Sequence, residues 1–151
     1  METTELKIED LSIIANGYVS SLINKLLNRA FKKHNLNITT EQWTVLTSLN
    51  NNDFQTQQGL SEDTFKQKGS ITRLIDTLVK NQLVERTSSP NDRRSNLIHI
   101  TDLGKKIDNK AKEVVTDIYN KSIKGVTYTE ILKVKSIMTI IINNLINEDN
   151  L

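Results

Sequence analysis

The chain has 151 residues, a formal net charge of +2 and no cysteine, and 36% of it is hydrophobic. The absence of cysteine excludes a disulfide framework, a thiolate nucleophile, a zinc–cysteine site and a thiol redox sensor on this chain. Two histidines, His34 and His99, are too few for a histidine-rich metal site, so no cofactor is expected.

The length suits one domain, and the modest apolar fraction leaves room for a core completed by a second copy. The N-terminus, METTELKIEDLS, has neither the basic start nor the apolar run of a secretory signal. The longest apolar run, IMTIII, is far too short to span a bilayer. The expectation is a soluble cytoplasmic protein with no membrane contact. Charge is unevenly spread. From Lys66 to Arg94 there are seven basic residues against three acidic ones, so the rest of the chain is net acidic. A concentrated basic segment is the electrostatic pattern of a nucleic-acid-binding face, although any small protein carries a basic patch somewhere.

Pro90 is the only proline and there are five glycines, which favours long helices. The first is predicted from about Lys7 to Lys33, with Leu11, Ile14, Tyr18, Leu22, Leu26 and Ala30 forming one apolar stripe. A second helix starts at NITTEQW, with Thr39 or Thr40 as N-cap and Trp43, Leu46 and Leu49 on its buried face. A polar break, NNNDFQTQQG, follows. GLSEDTF reads as a short helix, and KQKGSITRLIDTLVKNQL as a longer one burying Ile71, Leu74, Ile75 and Leu78. At about 100° per residue, Arg73 and Lys80 fall almost opposite that apolar side, with Gly69, Thr72 and Asp76 beside them.

Two short apolar strands, LVERT and NLIHIT, come next, and the nine residues Ser88 to Asn96 separate them. Hairpin loops usually take about two to five residues. The tip carries Pro90, Asn91, Asp92, Arg93 and Arg94. Thr101 caps a further helix, DLGKKIDNKAKEVVTDIYNKSI, which Gly125 ends. The last helix begins near Thr127 or Thr129 and is apolar over a wide arc: Ile131, Val134, Met138, Ile141 and Leu145, flanked by Ile137, Ile142 and Ile146. One amphipathic contact needs roughly a third of a helix's circumference. A helix buried in its own domain would explain the excess. Mutual burial of the two terminal helices in a homodimer explains it better.

A short helix, a turn and a second helix with a basic-polar outer face form a helix-turn-helix, whose second helix enters the major groove by its N-terminal residues. A hairpin with a long loop directly after it makes a winged helix. Arginines at its tip would reach the minor groove or the phosphates, where a planar, permanently charged guanidinium is favoured. Asp92 would hold the Arg94 guanidinium two residues on in an extended pose.

The wing DRRSNLIHITDLGKK resembles that of the MarR family of bacterial transcription regulators, whose pattern is Asp-x-Arg, an apolar strand, then Thr-x-x-Gly opening a long helix. Asp92, Arg94, Ile98, Ile100, Thr101 and Gly104 fall in register. GSITRLIDTLVKNQLVER is similar to the family's recognition helix and first wing strand, and ITTEQWTVLTSL to its second helix. The resemblance covers nearly the whole chain. It implies a mainly α (α+β) fold: a winged helix-turn-helix whose N- and C-terminal helices form a dimerisation base. It also implies a homodimer that binds a palindromic double-stranded DNA operator, in most members as a repressor. Many members release DNA when a small, often phenolic, ligand binds between base and lobe. TFKQKGS departs from the usual Gly-Leu-Ser-x-Ser-Thr turn, so the operator cannot be borrowed from a relative. Without cysteine the peroxide-sensing branch is excluded.

On this basis residues 1–34 and 102–151 are expected to form the dimerisation helices and 35–101 the DNA-binding lobe, in one intertwined domain. Lys68, Ser70, Thr72 and Arg73 are assigned to base readout. Arg94, with Arg93, goes to the minor groove, and Lys66, Lys80 and Arg86 to the DNA backbone. Tyr18, His34, Trp43 and Tyr119 are polar-tipped rings that could line a cleft for a small aromatic effector; the plainer reading makes them core or interface residues. No nucleophile motif, phosphate-cradling glycine loop or paired carboxylates point to an enzyme. A winged-helix dimer acting as a protein-interaction module is the remaining alternative, and it would want apolar residues where Thr72 and Arg73 stand.

Overall fold

The computed structural model describes residues 17–88 and 96–148. The expected helical turns over residues 7–16, including Leu11 and Ile14, and the wing tip with Pro90, Asn91, Asp92, Arg93 and Arg94 lie outside the described residues. In chain order the elements are α1 (Tyr18–Lys33), α2 (Thr40–Asn51), β1 (Gln55–Thr56), α3 (Gln57–Thr64), α4 (Lys68–Lys80), β2 (Val84–Ser88), β3 (Asn96–Ile100), α5 (Asp102–Ser122) and α6 (Tyr128–Glu148). Among the described residues no helix is long and apolar enough to cross a membrane.

The helix starts follow local chemistry. Thr39 is the N-cap of α2: its hydroxyl accepts from the Gln42 amide at 3.2 Å, and the Gln42 side chain accepts from the Thr39 amide at 2.9 Å. This reciprocal box satisfies two donors that a helix start leaves open. Thr127 and Glu130 repeat the device at the start of α6. The side-chain and then the backbone hydrogen bond from Thr127 hold the Glu130 carboxyl below the usual carboxylate range. That cap is therefore intact above the ordinary carboxylate pKa and is lost as pH falls through the depressed value.

The three strands pair antiparallel in the order β1-β3-β2. Val84 stands opposite Ile100 and Ser88 opposite Asn96, so the ladder includes both residues that the sequence places in the loop. The third strand is a departure from expectation. β1 lies inside the polar break, with Gln55 opposite Ile98 and Thr56 opposite Leu97. A two-residue strand of Gln and Thr has no apolar alternation to reveal it. Gln55 is buried because its amide donates to the carbonyls of Ser48 and Asn52 and to the Ser48 hydroxyl.

One hydrophobic core serves this lobe. It gathers Leu46 and Leu49 from α2, Leu60 from α3, Ile71, Ile75 and Leu78 from α4, and Val84, Ile98 and Ile100 from the sheet. It also takes Leu27 and Phe31 from α1 and Ala111, Val114 and Val115 from α5. The expected lobe of residues 35–101 thus shares its core with both flanking helices. The chain divides into two compact units, one running to Ile118 and the other from Tyr119; all of this core belongs to the first.

The first helix has two apolar faces. The face of α1 that enters the core is Leu27 and Phe31, with Ile23 and Ala30 partly buried beside it. Tyr18, Leu22 and Leu26 of the predicted stripe are exposed. On α6, Ile131 and Ile141 are half-buried, and its other described apolar side chains are exposed within the chain.

The junction between wing and α5 is tight. The Thr101 hydroxyl accepts from the Gly104 amide at 3.0 Å and donates toward the carbonyls of Gln82 and Leu83, and the Thr101 amide also reaches the Leu83 carbonyl at 3.1 Å. A β-carbon on Gly104 would collide with that same carbonyl oxygen and stand 2.7 Å from Ile100 Cγ1. Gly104→Ala is therefore expected to destabilise the fold by about 3 kcal/mol, the upper end of overpacking costs. Urea unfolding measures this, and a loss under about 0.5 kcal/mol, the range of an ordinary surface change, would contradict it.

Candidate nucleic-acid interface

Among the described residues the basic segment supplies the turn after α3, α4 and β2, all within the first compact unit. The Thr56 hydroxyl caps α3, accepting from the Gly59 amide at 3.0 Å. At the other end Phe65 adopts a left-handed conformation (φ 52°, ψ 33°). The Lys66 amide then donates to the Ser61 carbonyl at 3.1 Å, and the Ser61 hydroxyl donates back to the Lys66 carbonyl. These bonds lock the turn and set the angle at which α4 leaves it. Gln67 precedes α4 in extended conformation without a side-chain cap, so the first amides of the helix are left to other acceptors.

The amphipathic split of α4 matches the sequence. Ile71, Ile75 and Leu78 are buried and Leu74 is partly so. Lys68, Gly69, Ser70, Thr72, Arg73, Asp76 and Lys80 are exposed. Lys68, Ser70, Thr72 and Arg73 all lie on the first turns of α4. The Thr72 hydroxyl is already engaged, donating to the Lys68 carbonyl and accepting from the Gln57 side-chain Nε2, both at 3.0 Å. Gln57 therefore ties the start of α3 to the exposed face of α4, a role its sequence position does not advertise.

The cations divide into two groups. Lys68, Arg73 and Lys80 are exposed and form no ion pair among the described residues. Arg86 is committed: its guanidinium lies 2.6 Å from the Asp76 carboxylate, bracing β2 against α4. Lys66 reaches Glu41 of α2 at 3.7 Å. Each of these two cations, expected to contact or steer toward the DNA backbone, has a carboxylate neighbour within the chain. Both bridges are partly solvated and worth little alone, but they fix where the side chains point. Arg93, Arg94 and Asp92 lie outside the described residues.

On the sheet, His99 stacks on Phe54 with ring centroids 5.1 Å apart and lies 3.3 Å from the Glu85 carboxylate. Asp53 accepts from the amides of Phe54 and Ile100, each at 2.9 Å, which fastens the loop before β1 to the wing.

The four aromatic residues considered for an effector differ in their surroundings. Trp43 packs edge-on against Phe31 with centroids 6.3 Å apart, and its indole N–H is buried without a partner among the described residues. Tyr18 is exposed, and Tyr119, also exposed, belongs to the second compact unit. Only His34 lines the cavity of about 420 Å³ that it forms with Leu36, Lys110, Glu113, Val114 and Asp117. No group of three His, Asp or Glu able to hold a metal occurs among the described residues.

Comparison with known proteins agrees with this geometry. The sequence model of the MarR family matches residues 38–96, from the approach to α2 to the first residue of β3. The chain is 30% identical over 122 residues to the multiple antibiotic resistance protein MarR of Escherichia coli (strain K12), covering 79% of this chain and 85% of that one. It is 24% identical over 141 residues to the HTH-type transcriptional repressor IacR of Pseudomonas putida, covering 93% and 83% respectively. The crystal structure of a mutant E. coli MarR complexed with operator DNA superposes with a TM-score of 0.72 at 27% identity, covering 87% of this chain and 96% of that one. With its winged helix-turn-helix lobe and this degree of likeness, the chain belongs to the MarR family and is a DNA-binding transcription regulator, not an enzyme.

Proposed function

We propose that the chain is a homodimeric repressor of a palindromic double-stranded DNA operator. The observation that carries this reading is the face of α4, where Lys68, Arg73 and Lys80 stand exposed without an ion pair among the described residues while Lys66 and Arg86 have carboxylate partners. Fixed phosphate charges attract open cations, and the N-terminal residues of such a helix meet base edges. Lys68, Ser70, Thr72 and Arg73 read bases, Lys80 steers the backbone, and Arg93 and Arg94 of the wing enter the minor groove or sit on its phosphates, with Asp92 supporting Arg94. Likeness to a protein named as a repressor favours repression over activation.

Dimerisation falls to residues 1–34 and 102–151. The apolar side chains left exposed on α1 and α6 support this assignment, since a contiguous apolar patch beyond a few hundred Å² marks an interface. A small aromatic effector that releases the DNA would enter the cavity beside His34, where Leu36 and Val114 supply apolar wall and Lys110, Glu113 and Asp117 supply polar groups. Docking of a protein on the α4 face is disfavoured by Thr72 and Arg73.

Operator fragments selected from random DNA by the purified protein, with binding followed by fluorescence anisotropy, test the readout. Arg73→Ala should lose about 1–3 kcal/mol per half-site and relax specificity at one position in each, whereas Arg94→Ala should weaken binding with little change in specificity. Wild-type affinity for both variants at matched salt would refute the assignment. Sedimentation should give twice the 17.2 kDa chain mass, and Val134→Asp or Leu145→Asp should shift it toward monomer; a monomeric wild type would end the dimer reading. Aromatic acids should raise Tm, and no rise at millimolar ligand would remove the effector.

A further inference from the structure

Phe65 is the most exposed large apolar residue among those described, at 88%. It also occupies the left-handed region, φ 52°. A residue with a β-carbon is disfavoured there by about 1–2 kcal/mol, where glycine fits without strain. The ring therefore costs backbone energy and gains no burial. Neither the core nor the turn accounts for a phenyl group at this position. Its setting is rigid, because the amides of Phe65 and Lys66 donate to the Glu62 and Ser61 carbonyls and the Ser61 hydroxyl closes on Lys66. Two residues later Gln67 opens α4, whose first turns carry Lys68, Ser70, Thr72 and Arg73.

We propose that Phe65 is a specificity-determining residue that packs its ring on a thymine C5-methyl group at the major-groove edge of each half-site. The inference rests on the proposed entry of α4 into the major groove. Phenylalanine has no donor or acceptor, so it cannot read the polar pattern of a base edge. The one apolar group presented in the major groove is the thymine methyl, which phenylalanine contacts favourably. A rigid, solvated ring beside the N-terminus of the reading helix suits that group, and polar neighbours such as Ser70 and Arg73 do not.

The test uses the full chain and the operator it selects from random DNA. Replacing each thymine in turn by uracil removes the methyl group and keeps base pairing. One thymine per half-site should lose about fourfold in affinity on replacement, the equivalent of one buried methyl-sized group, and about fifteenfold when both half-sites are changed. Phe65→Gly should bind the thymine operator more weakly by a similar factor and be indifferent to uracil, while its Tm stays level or rises because the left-handed strain is relieved. Phe65→Leu, keeping an apolar tip, should retain part of the discrimination. The proposal is overturned if no thymine is sensitive, or if wild type and Phe65→Gly lose equally on uracil substitution while both still bind the operator. Selection of no sequence at all by wild type would overturn the groove reading of α4 itself, and this inference with it.

Discussion

The position of α5 rests on two contacts one helical turn apart. At Gly104 the helix meets the Leu83 carbonyl so closely that a hydrogen is the only tolerated side chain. At Asp108 a fully buried carboxylate accepts from Thr47 and Asn50 of α2, at 2.6 and 2.7 Å, and pairs with Lys112 at 2.7 Å. The first contact is steric and the second electrostatic, so they restrain different motions. A buried charge is tolerated only where donors replace the water it gives up. Thr47, Asn50 and Lys112 do so, and the requirement fixes how α2 and α5 face each other. Through α2 the constraint reaches Gln55, held by Ser48, and hence the edge of the winged sheet.

The same logic sorts the cations. A lysine or arginine near a carboxylate is a brace; one without a carboxylate partner is available to a ligand. Asp76 sits on the outer side of α4 but serves Arg86 across the α4–β2 corner, setting the wing strand against the reading helix. Glu41 holds Lys66 against α2. The segment that carries the basic excess is thus partly self-neutralised where it builds the frame. It stays positive where α4 presents its first turns and its end. Uniform repulsion between a dense set of positive charges is avoided, and the field is directed outward from one helix face.

Much of this was legible in the sequence, for identifiable reasons. The helices of the lobe carry period-3.6 apolar patterns, Thr39 and Thr101 have capping chemistry next to the chain they cap, and the hairpin strands are β-branched and apolar. The pairing of Ser88 with Asn96 was missed because strand ends have no sequence mark of their own. Gln55 was missed because burial of a polar residue depends on donors and acceptors supplied by neighbours that only folding assembles. The partners of Arg86 and Lys66 were invisible for a related reason: Asp76–Arg86 meet across a corner, and Glu41–Lys66 join α2 to the turn before α4, neither by helical spacing. Tyr18, His34, Trp43 and Tyr119 carry no sequence mark that tells a pocket from a core. Polar-tipped rings are common in cores, and Trp43 is occupied by Phe31.

The first helix shows most clearly what periodicity conceals. Its apolar residues occupy two faces, and a count along the sequence finds the stripe through Tyr18, Leu22 and Leu26 first. The core takes the other, Leu27 and Phe31, because Phe31 must meet Trp43 and close the lobe beneath α2. A single globule has no use for a helix with two apolar faces, since burying the second yields roughly 25 cal/mol per Å² that one chain leaves uncollected. An exposed apolar arc on α6, in a protein whose remaining surface is amply charged, carries the same surplus. On the proposed homodimer reading, a twofold copy of the chain is the surface that would cover this surplus, since such a copy is always present at equal concentration.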